Sequence, residues 1–403
     1  MTTGVRRSTL LGGLCFLIAM IEGFDLQAAG VAAPTLVPAL GLSPGGVALF
    51  FSSGTIGLVF GAIAGGRIAD RFGRKCGLAA ALACFGIFSL ATSQSWDFSS
   101  LLAFRFLTGV GLGGAMPNLI AICVETARPG RSASSVGAMY GGMPAGGAIA
   151  AVIAVGGWHG SWREIFVIGG LAPILVLPLV GKFLPRLATR RHKPEAGSTS
   201  MLSRLFVAGR RLPTILLWTA FFLTLLILYL LLNWLPTLLV AGGIPRASAA
   251  VIQVVFNLAG AAASFAIGAI VDRAGPRMPL VAMFTLLLAA LGLLATGPVS
   301  LILIGMASAI AGAALMAVQA ILYGLAPAFY VAEIRGTGVG AAVAVGRLGS
   351  IAGPLVAGGM VVAGSTPALL FAAIIPIALA GGAAAVGMLR AAGPIRLAAP
   401  PGE

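Results

Sequence analysis

The sequence predicts an all-α integral membrane protein with 12 transmembrane helices in two six-helix halves and both termini in the cytoplasm. Three observations lead to this fold class: recurring apolar runs, a one-sided distribution of basic residues, and an internal repeat. Of the 403 residues, 59% are hydrophobic and only 9% are charged. Soluble domains are about half apolar and about a quarter charged, so the composition excludes an ordinary soluble fold.

Apolar runs of about 20 residues, the length that crosses a bilayer as a helix, recur along the whole chain. No small-residue cleavage site precedes the first run, which is long enough to be a retained helix. We place the 12 spans near residues 9–32, 46–68, 76–95, 100–122, 133–156, 164–185, 213–237, 248–271, 278–296, 300–325, 336–362 and 367–390.

The basic residues predict the orientation of these spans. With the N-terminus inside, 21 of the 25 Lys and Arg residues fall in the cytoplasm. Only Arg163 and Arg246 fall outside, and Arg105 and Arg347 lie within spans. Cytoplasmic loops of membrane proteins carry an excess of Lys and Arg. The net charge of +15 therefore indicates membrane topology rather than nucleic-acid binding.

An internal repeat divides the chain into two halves. Residues 66–75 read GRIADRFGRK and residues 268–277 read GAIVDRAGPR, and matching positions are offset by 202. Both copies follow the second span of their half, as in transporters that are built from parallel repeats. We therefore predict an N-terminal bundle of residues 1–185, a basic cytoplasmic linker of residues 186–212, and a C-terminal bundle of residues 213–403.

Residues in and beside the two repeated loops, most of them charged, are candidates for a gate at the cytoplasmic ends of the helices. Ion pairs and contacts with helix ends would hold that side closed. The alternative is that the basic residues only set topology, although topology does not need the acids. The candidate gating residues are Gly66, Asp70, Arg71, Gly73, Arg74, Lys75, Asp272, Arg273, Arg277, Glu125 and Arg131.

Two Gly- and Pro-rich segments fall in equivalent spans. GGMPAGG (141–147) lies in span 5 and GSIAGPLVAGG (349–359) lies in span 11. Such segments bend helices during transport, or their small residues simply let helices pack closely. The sequence leaves both interpretations open.

Four charged residues lie inside spans, where each costs about 2.5–3.5 kcal/mol on insertion scales. Glu22 and Asp25 lie in span 1, Arg105 lies in span 4 and Arg347 lies in span 11. At about 1.5 Å per residue, Asp25 and Arg105 have similar depths, which predicts that they meet. Arg347 lies near the midplane, and intramembrane charges of this kind are candidates for a functional site.

Three further spans each carry two polar side chains four residues apart, which places both on one helix face. Together with the charges, they predict a polar, water-filled cavity lined by spans 1, 4, 7, 8, 10 and 11, with spans 3, 6, 9 and 12 as supports or facing lipid. The alternative is that these side chains only bond neighbouring helices. The pairs are Tyr229 and Asn233, Gln253 and Asn257, and Gln319 and Tyr323.

Several motifs resemble a known family. GRIADRFGRK resembles the signature of the major facilitator superfamily, and RFLTGVGLGGAMP (105–117) resembles its arginine-and-glycine pattern in span 4. EGFD (22–25) is similar to an element of the aromatic acid:proton symporters, with Glu22 in place of the more usual Asp. GLCFLIAMIEGFDLQAAG, LLNWLPTLLV, YGLAPAFY and IRGTGVGAAVAVGRLG look most like the branch that transports 3-hydroxyphenylpropionate.

The resemblance implies proton-driven import of an aromatic carboxylate across a bacterial inner membrane, by rocker-switch alternating access in a major facilitator fold. We assign Asp25 and Arg105 to a switchable pair in proton coupling, with Glu22 as modulator. Arg347 would bind the substrate carboxylate, which suits a planar guanidinium. The three polar pairs would bind the ring hydroxyl. The rival assignment has Arg105 binding the carboxylate and Arg347 in a structural role.

Other function classes find little support in the sequence. His159 and His192 fall in predicted loops, and the four cysteines lack metal-site spacing. We therefore expect no enzyme activity, no metal and no cofactor, with protons as the coupling ion. The expected partners are a small aromatic carboxylate and the lipid bilayer, without nucleic acid, and a monomer is expected. The alternatives are transport of another organic or sugar acid by a major facilitator protein, and drug efflux.

Overall fold

The computed structural model describes residues 2–127, 131–155, 162–184, 206, 210–297, 300–330 and 335–391, and within these ranges every regular element is helical. One 3-10 turn spans Ala326–Phe329. The helices are α1 (Thr2–Leu40), α2 (Pro44–Phe72), α3 (Arg74–Ser93), α4 (Phe98–Thr126), α5 (Ser132–Tyr140), α6 (Gly142–Val155), α7 (Trp162–Phe183), α8 (Arg211–Ala241), α9 (Arg246–Ala274), α10 (Arg277–Ala295), α11 (Leu301–Leu325), α12 (Arg335–Val362) and α13 (Pro367–Ala391).

The helices form 12 segments that are long and apolar enough to cross a membrane, which confirms the predicted number. α5 and α6 together form the fifth span, so α7–α13 are spans six to twelve. We refer to α1–α7 as the first half and to α8–α13 as the second half. The predicted boundaries at 185 and 213 stay predictions, because most of the linker (186–212) lies outside the described residues.

The fifth span is broken at Gly141. Pro144 has no backbone N–H to donate to the carbonyl of Tyr140, where α5 ends. The chain there comes so close to α1 that a Cβ atom at Gly23 would lie 1.9 Å from the Met143 carbonyl oxygen. GGMPAGG therefore combines a helix break with close packing, whereas the equivalent GSIAGPLVAGG stays within one helix, α12.

Helix packing repeats along with the sequence. A Cβ atom at Gly146 on α6 would lie 1.8 Å from the Met20 carbonyl oxygen on α1. In the equivalent helices of the second half, a Cβ atom at Gly349 on α12 would lie 2.0 Å from the Phe222 carbonyl oxygen on α8. Small residues let membrane helices approach this closely. Each half therefore repeats the same tightly packed helix pair.

The two halves touch at both ends of the bundle. At the end that carries the loop between α2 and α3, here called the signature end, the Ser134 N–H of α5 donates to Asp272 Oδ2 of α9 at 3.1 Å. At the opposite end, the rings of Phe51 (α2) and Trp234 (α8) meet edge to face at 5.8 Å. A Cβ atom at Gly358 on α12 would also lie 2.6 Å from Ala48 Cβ on α2. These contacts enclose a space between the halves.

Candidate functional site

A small cavity lies between the halves. Its wall is apolar except for one guanidinium, one amide and three tyrosines, which is the usual composition of a site for a small organic ligand. The lining residues are Gly23, Leu26, Gln27, Tyr140, Met143, Leu225, Leu228, Tyr229, Leu232, Met316, Tyr323 and Arg347. Spans 1, 7, 10 and 11 line it as predicted, but spans 4 and 8 contribute no lining residue and span 5 does.

Arg347 is the charged residue of this wall. Its side chain is buried, and Nη1 donates a hydrogen bond to the Tyr229 hydroxyl at 2.7 Å. It also interacts electrostatically with Tyr323, Tyr140 and Glu22. The remaining guanidinium N–H groups have a fixed fork geometry that matches a carboxylate, so Arg347 lies where it can bind an anionic ligand inside the cavity.

Asp25 and Arg105 form the predicted contact, but away from the cavity wall. Arg105 Nη1 donates to Asp25 Oδ2 at 2.9 Å, and both side chains are buried. Ser89 Oγ on α3 donates to Asp25 Oδ1 at 2.6 Å. The Arg105 guanidinium also lies over the Phe166 ring of α7, 5.3 Å from its centroid. The pair therefore sits inside the first half, with its guanidinium already occupied by a protein carboxylate.

Glu22 has a different environment from Asp25, although both lie on α1. Its side chain is completely buried, and neither carboxyl oxygen accepts a hydrogen bond. The charged group that acts on it is Arg347, on the other half of the protein. Glu22 is thus a buried carboxyl group without a hydrogen-bond partner, within electrostatic reach of the cavity guanidinium.

The predicted amide pair on span 8 connects the halves instead of lining the cavity. Asn257 Nδ2 donates to Gln27 Oε1 at 2.7 Å, and Gln27 Nε2 donates to Asn257 Oδ1 at 2.8 Å. Gln253 Nε2 donates to the same Gln27 oxygen at 3.3 Å. This cluster matches the alternative interpretation, in which intramembrane amides bond neighbouring helices, and here the helices are α1 and α9.

The other two pairs divide between the cavity and the helix contacts. Tyr229 and Tyr323 line the cavity, and the Tyr323 ring lies 5.3 Å from that of Tyr140. Asn233 donates to the Tyr229 backbone carbonyl at 2.8 Å, one turn earlier in α8. Gln319 on α11 donates to Thr224 Oγ1 on α8 at 2.7 Å. Each i, i+4 pair thus has one member at most in the cavity wall.

Two of the candidate gating acids make contacts at the signature end. Asp272 accepts hydrogen bonds from the backbone N–H and the hydroxyl of Ser134, across the two halves. Glu125 pairs with Arg74 at 2.8 Å, within the first half. Lys75 donates to the carbonyl of Gly181, also within the first half. Of these contacts, only that of Asp272 crosses between the halves.

The remaining candidates lie in or beside the repeated turns. Gly73 and Gly275 have φ values of +90° and +76°, so both copies of the turn need glycine. Gly66 lies in α2, and the side chain of Asp70 lies outside the described part of the structure. The basic candidates are placed as follows: Arg71 over the Phe72 ring at 5.3 Å, Arg131 just before α5, Arg273 in the last turn of α9, and Arg277 at the start of α10.

Sequence reasoning missed several residues of the site. Tyr140 was unremarked because it stands alone in a Gly-rich segment, and Ser89 lies in a span that was predicted to be a support. Gln27 follows the EGFD element by two residues. Gln27 lies four residues after Gly23, so both lie on the same face of α1, and both line the cavity. This spacing is the one sequence signal that could have identified Gln27. Among the described residues, no cluster of three or more His, Cys, Asp or Glu could hold a metal ion.

Twelve apolar helices in two packed halves, with a buried arginine in the cavity between them, define a multi-pass membrane transporter. The chain belongs to the Major Facilitator Superfamily, which matches residues 15–354. The protein is accordingly a transporter and not an enzyme, and the predicted family resemblance is confirmed.

Three of the sequence relatives within this superfamily are named as transporters of aromatic acids. The chain is 42% identical to the 3-(3-hydroxy-phenyl)propionate transporter of Escherichia coli (strain K12), over 94% of this chain and 93% of that one. It is 33% identical to the gallate transporter of Pseudomonas putida, over 89% and 86%. It is 32% identical to the 4-hydroxybenzoate transporter PcaK of Pseudomonas aeruginosa, over 91% and 89%.

A solved structure shares the fold. The proton:xylose symporter XylE bound to 6-bromo-6-deoxy-D-glucose superposes with a TM-score of 0.76, covering 96% of each chain. The two sequences are only 16% identical. This likeness therefore concerns the helix arrangement alone.

Proposed function

We propose that the protein imports an aromatic monocarboxylate of the 3-(3-hydroxyphenyl)propionate type together with protons, across a bacterial inner membrane. The observation that carries the proposal is Arg347, a buried guanidinium in a largely apolar and aromatic cavity between the halves. The relatives named as transporters of aromatic acids support the same substrate class.

The cavity wall suits the two ends of such a substrate. Arg347 would bind the carboxylate by two parallel hydrogen bonds. The apolar wall, with Met143 and Met316, would enclose the ring. The hydroxyls of Tyr140 and Tyr323 are then available to a phenolic hydroxyl. This assigns Arg347, rather than Arg105, to the substrate, because the Arg105 guanidinium is engaged by Asp25.

The coupling groups are the buried charges of the first half. The candidate proton-coupling residues are the two acids of α1, Glu22 and Asp25, together with Arg105, and one of the two acids carries the proton. Contacts at the two ends of the bundle would open alternately, in a rocker-switch cycle. The excess of basic residues at the signature end favours an orientation with both termini in the cytoplasm.

Uptake into proteoliposomes tests this function. Radiolabelled 3-(3-hydroxyphenyl)propionate, 4-hydroxybenzoate, gallate and a sugar acid are offered with and without an inwardly directed proton gradient. We expect accumulation of an aromatic acid that requires the gradient and is abolished by an uncoupler, with protein-free liposomes as the control. Uptake of the sugar acid alone, or accumulation that is indifferent to the gradient, would contradict the proposal. If the protein transported no acid and instead moved a cationic drug outward against the concentration gradient of that drug, it would be an efflux pump.

A further inference from the structure

The two carboxyl groups of α1 are three residues apart, yet their surroundings differ in kind. Asp25 faces the interior of the first half, where it meets α3 and α4. Glu22 directly precedes Gly23 of the cavity wall and lies within electrostatic reach of Arg347 in the second half. The same helix therefore presents one carboxyl group to a fixed partner and the other to the cavity region.

Both oxygens of Asp25 are satisfied by the protein. Oδ2 accepts from Arg105 at 2.9 Å and Oδ1 accepts from Ser89 at 2.6 Å. A carboxylate with a guanidinium partner and a hydroxyl donor is stabilised in its ionised form even when it is buried. Asp25 is thus fully engaged by protein donors in this conformation.

Glu22 has no such compensation. It is completely buried, and neither of its oxygens has a hydrogen-bond partner. An ionised carboxylate is very costly in such a place, and a neutral acid is far less so. The neighbouring guanidinium of Arg347 donates to the Tyr229 hydroxyl and not to Glu22. This geometry suits a protonated Glu22 beside an Arg347 that is free of any carboxylate.

Among the described residues, four titratable groups on other helices act on Glu22. Arg347 on α12 is the charged one, and three neutral phenols complete the set: Tyr140 on α5, Tyr229 on α8 and Tyr323 on α11. On α1 itself, Asp25 is held by Arg105. Deprotonation of Glu22 would therefore place its charge under the influence of Arg347 above all.

We propose that Glu22 is the carboxyl group that exchanges the proton, and that its ionised form competes with the substrate carboxylate for Arg347. This inference rests on the proposed function. In the loaded state, Glu22 carries the proton on its own oxygen and Arg347 binds the substrate anion. After the substrate leaves, Glu22 releases the proton to solvent on that side, and its carboxylate neutralises Arg347.

Competition between the Glu22 carboxylate and the substrate carboxylate for Arg347 couples proton binding to substrate binding. The proton and the substrate need not touch each other. One O–H bond forms at Glu22 for each monoanion that binds, so the site gains no net charge. Arg347 is opposed by one carboxylate both in the loaded protein and in the empty protein that returns, which avoids a lone buried charge during either movement. Because coupling is reciprocal, substrate binding must promote proton binding as much as the proton promotes substrate binding.

Calorimetric titration of the purified full-length protein with 3-(3-hydroxyphenyl)propionate tests this assignment. Buffers of different ionisation enthalpy report the protons that are taken up on binding. Over the range from about pH 5.5 to about pH 8.5, we expect the wild type to take up about one proton per substrate above the transition, with affinity falling about tenfold per pH unit there. In Glu22→Gln, uptake should vanish and affinity should change less than about twofold across the range.

Asp25→Asn is the comparison variant. It removes the other acid of α1, and we expect it to retain proton uptake on binding, whatever its effect on transport rate. Persistence of proton uptake in Glu22→Gln, or its loss in Asp25→Asn alone, would overturn the assignment. If Glu22→Gln is not recovered folded, Glu22→Asp is tested instead, and we expect it to shift the pH at which substrate affinity begins to fall. An unchanged pH midpoint would also overturn the assignment. Failure of the wild type to bind any aromatic acid would instead count against the proposed function.

Discussion

Arg105 Nη1 lies 2.9 Å from Asp25 Oδ2, with both side chains buried inside the first half. Ser89 completes the cluster, so a single carboxylate ties α1 to α3 and α4. Hydrogen bonds from Arg105 and Ser89 hold the Asp25 carboxylate in place in this conformation. The Glu22 oxygens, in contrast, have no hydrogen-bond partner.

Arg105→Ala is expected to destabilise the protein strongly. The variant leaves the Asp25 charge buried and uncompensated, which costs about 3–5 kcal/mol in comparable pairs. The loss is measured as a lower melting temperature in detergent by fluorescence-detected size exclusion. Arg246→Ala, at an exposed position at the start of α9, is the matched control and should melt like the wild type. Equal melting of the two variants would show that the buried pair contributes nothing.

Arg347→Ala is expected to weaken substrate binding by roughly 2 kcal/mol or more, about thirtyfold, because it removes a buried charged donor. Arg347→Lys keeps the charge but not the fork of donors, so it should recover only part of the affinity. Tyr229→Phe removes the hydroxyl that accepts from Arg347, and a loss of about 1 kcal/mol is expected. Binding is measured by equilibrium dialysis of labelled substrate. Near-normal affinity in both Arg347 variants would remove this residue from the site.

Asp272→Ala is expected to favour the conformation that is open at the signature end. The wild-type carboxylate accepts from the Ser134 N–H in the first turn of α5, where a negative charge is favourable. Loss of this contact should shift the opening equilibrium by roughly 1 kcal/mol, about fivefold. Distances between spin labels on α5 and α9 report the shift. Glu125→Gln breaks an ion pair within one half, so its distance distribution should match that of the wild type.

Gly109→Ala is expected to lower stability. Its added Cβ atom would lie 2.0 Å from the Gly54 carbonyl oxygen, so α2 and α4 would have to separate. Overpacking of this kind costs typically about 1–3 kcal/mol. Gly305→Ala is the matched control, because nothing lies within 4 Å of a Cβ atom there. The prediction fails if both variants show the same melting temperature in detergent.

Much of the fold follows from properties that are local in the sequence. A bilayer demands about 20 apolar residues for each helical span, so the number of spans is visible in the apolar runs. The signature turns are equally local, because Gly73 and Gly275 adopt positive φ values that other residues rarely take. The contact between Asp25 and Arg105 followed from depth, since two unlike charges at one level of the hydrocarbon have strong reason to pair.

The roles of the neutral polar residues did not follow in this way. Gln253 and Asn257 share a helix face as predicted, but that face meets Gln27 on α1 and not the cavity. Tyr140 lies in the cavity wall as the last residue of α5, next to the interruption of the fifth span. The rotation of each helix about its axis decides such outcomes, and that rotation is set by packing against other helices.

The sequence by itself determined the class of the protein, its 12 spans, its family and the four costly charges inside the membrane. Only the tertiary structure decided that Glu22, and not Asp25, is the acid within reach of Arg347. Glu22 and Asp25 differ by about 60° around α1, an offset that follows from 3.6 residues per turn. That offset turns one carboxyl group toward Arg105 in the same half and the other toward Arg347 in the opposite half. The spacing of the two acids in the sequence gives the angle between them on a helix. Which groups lie next to each acid depends on how the helices pack.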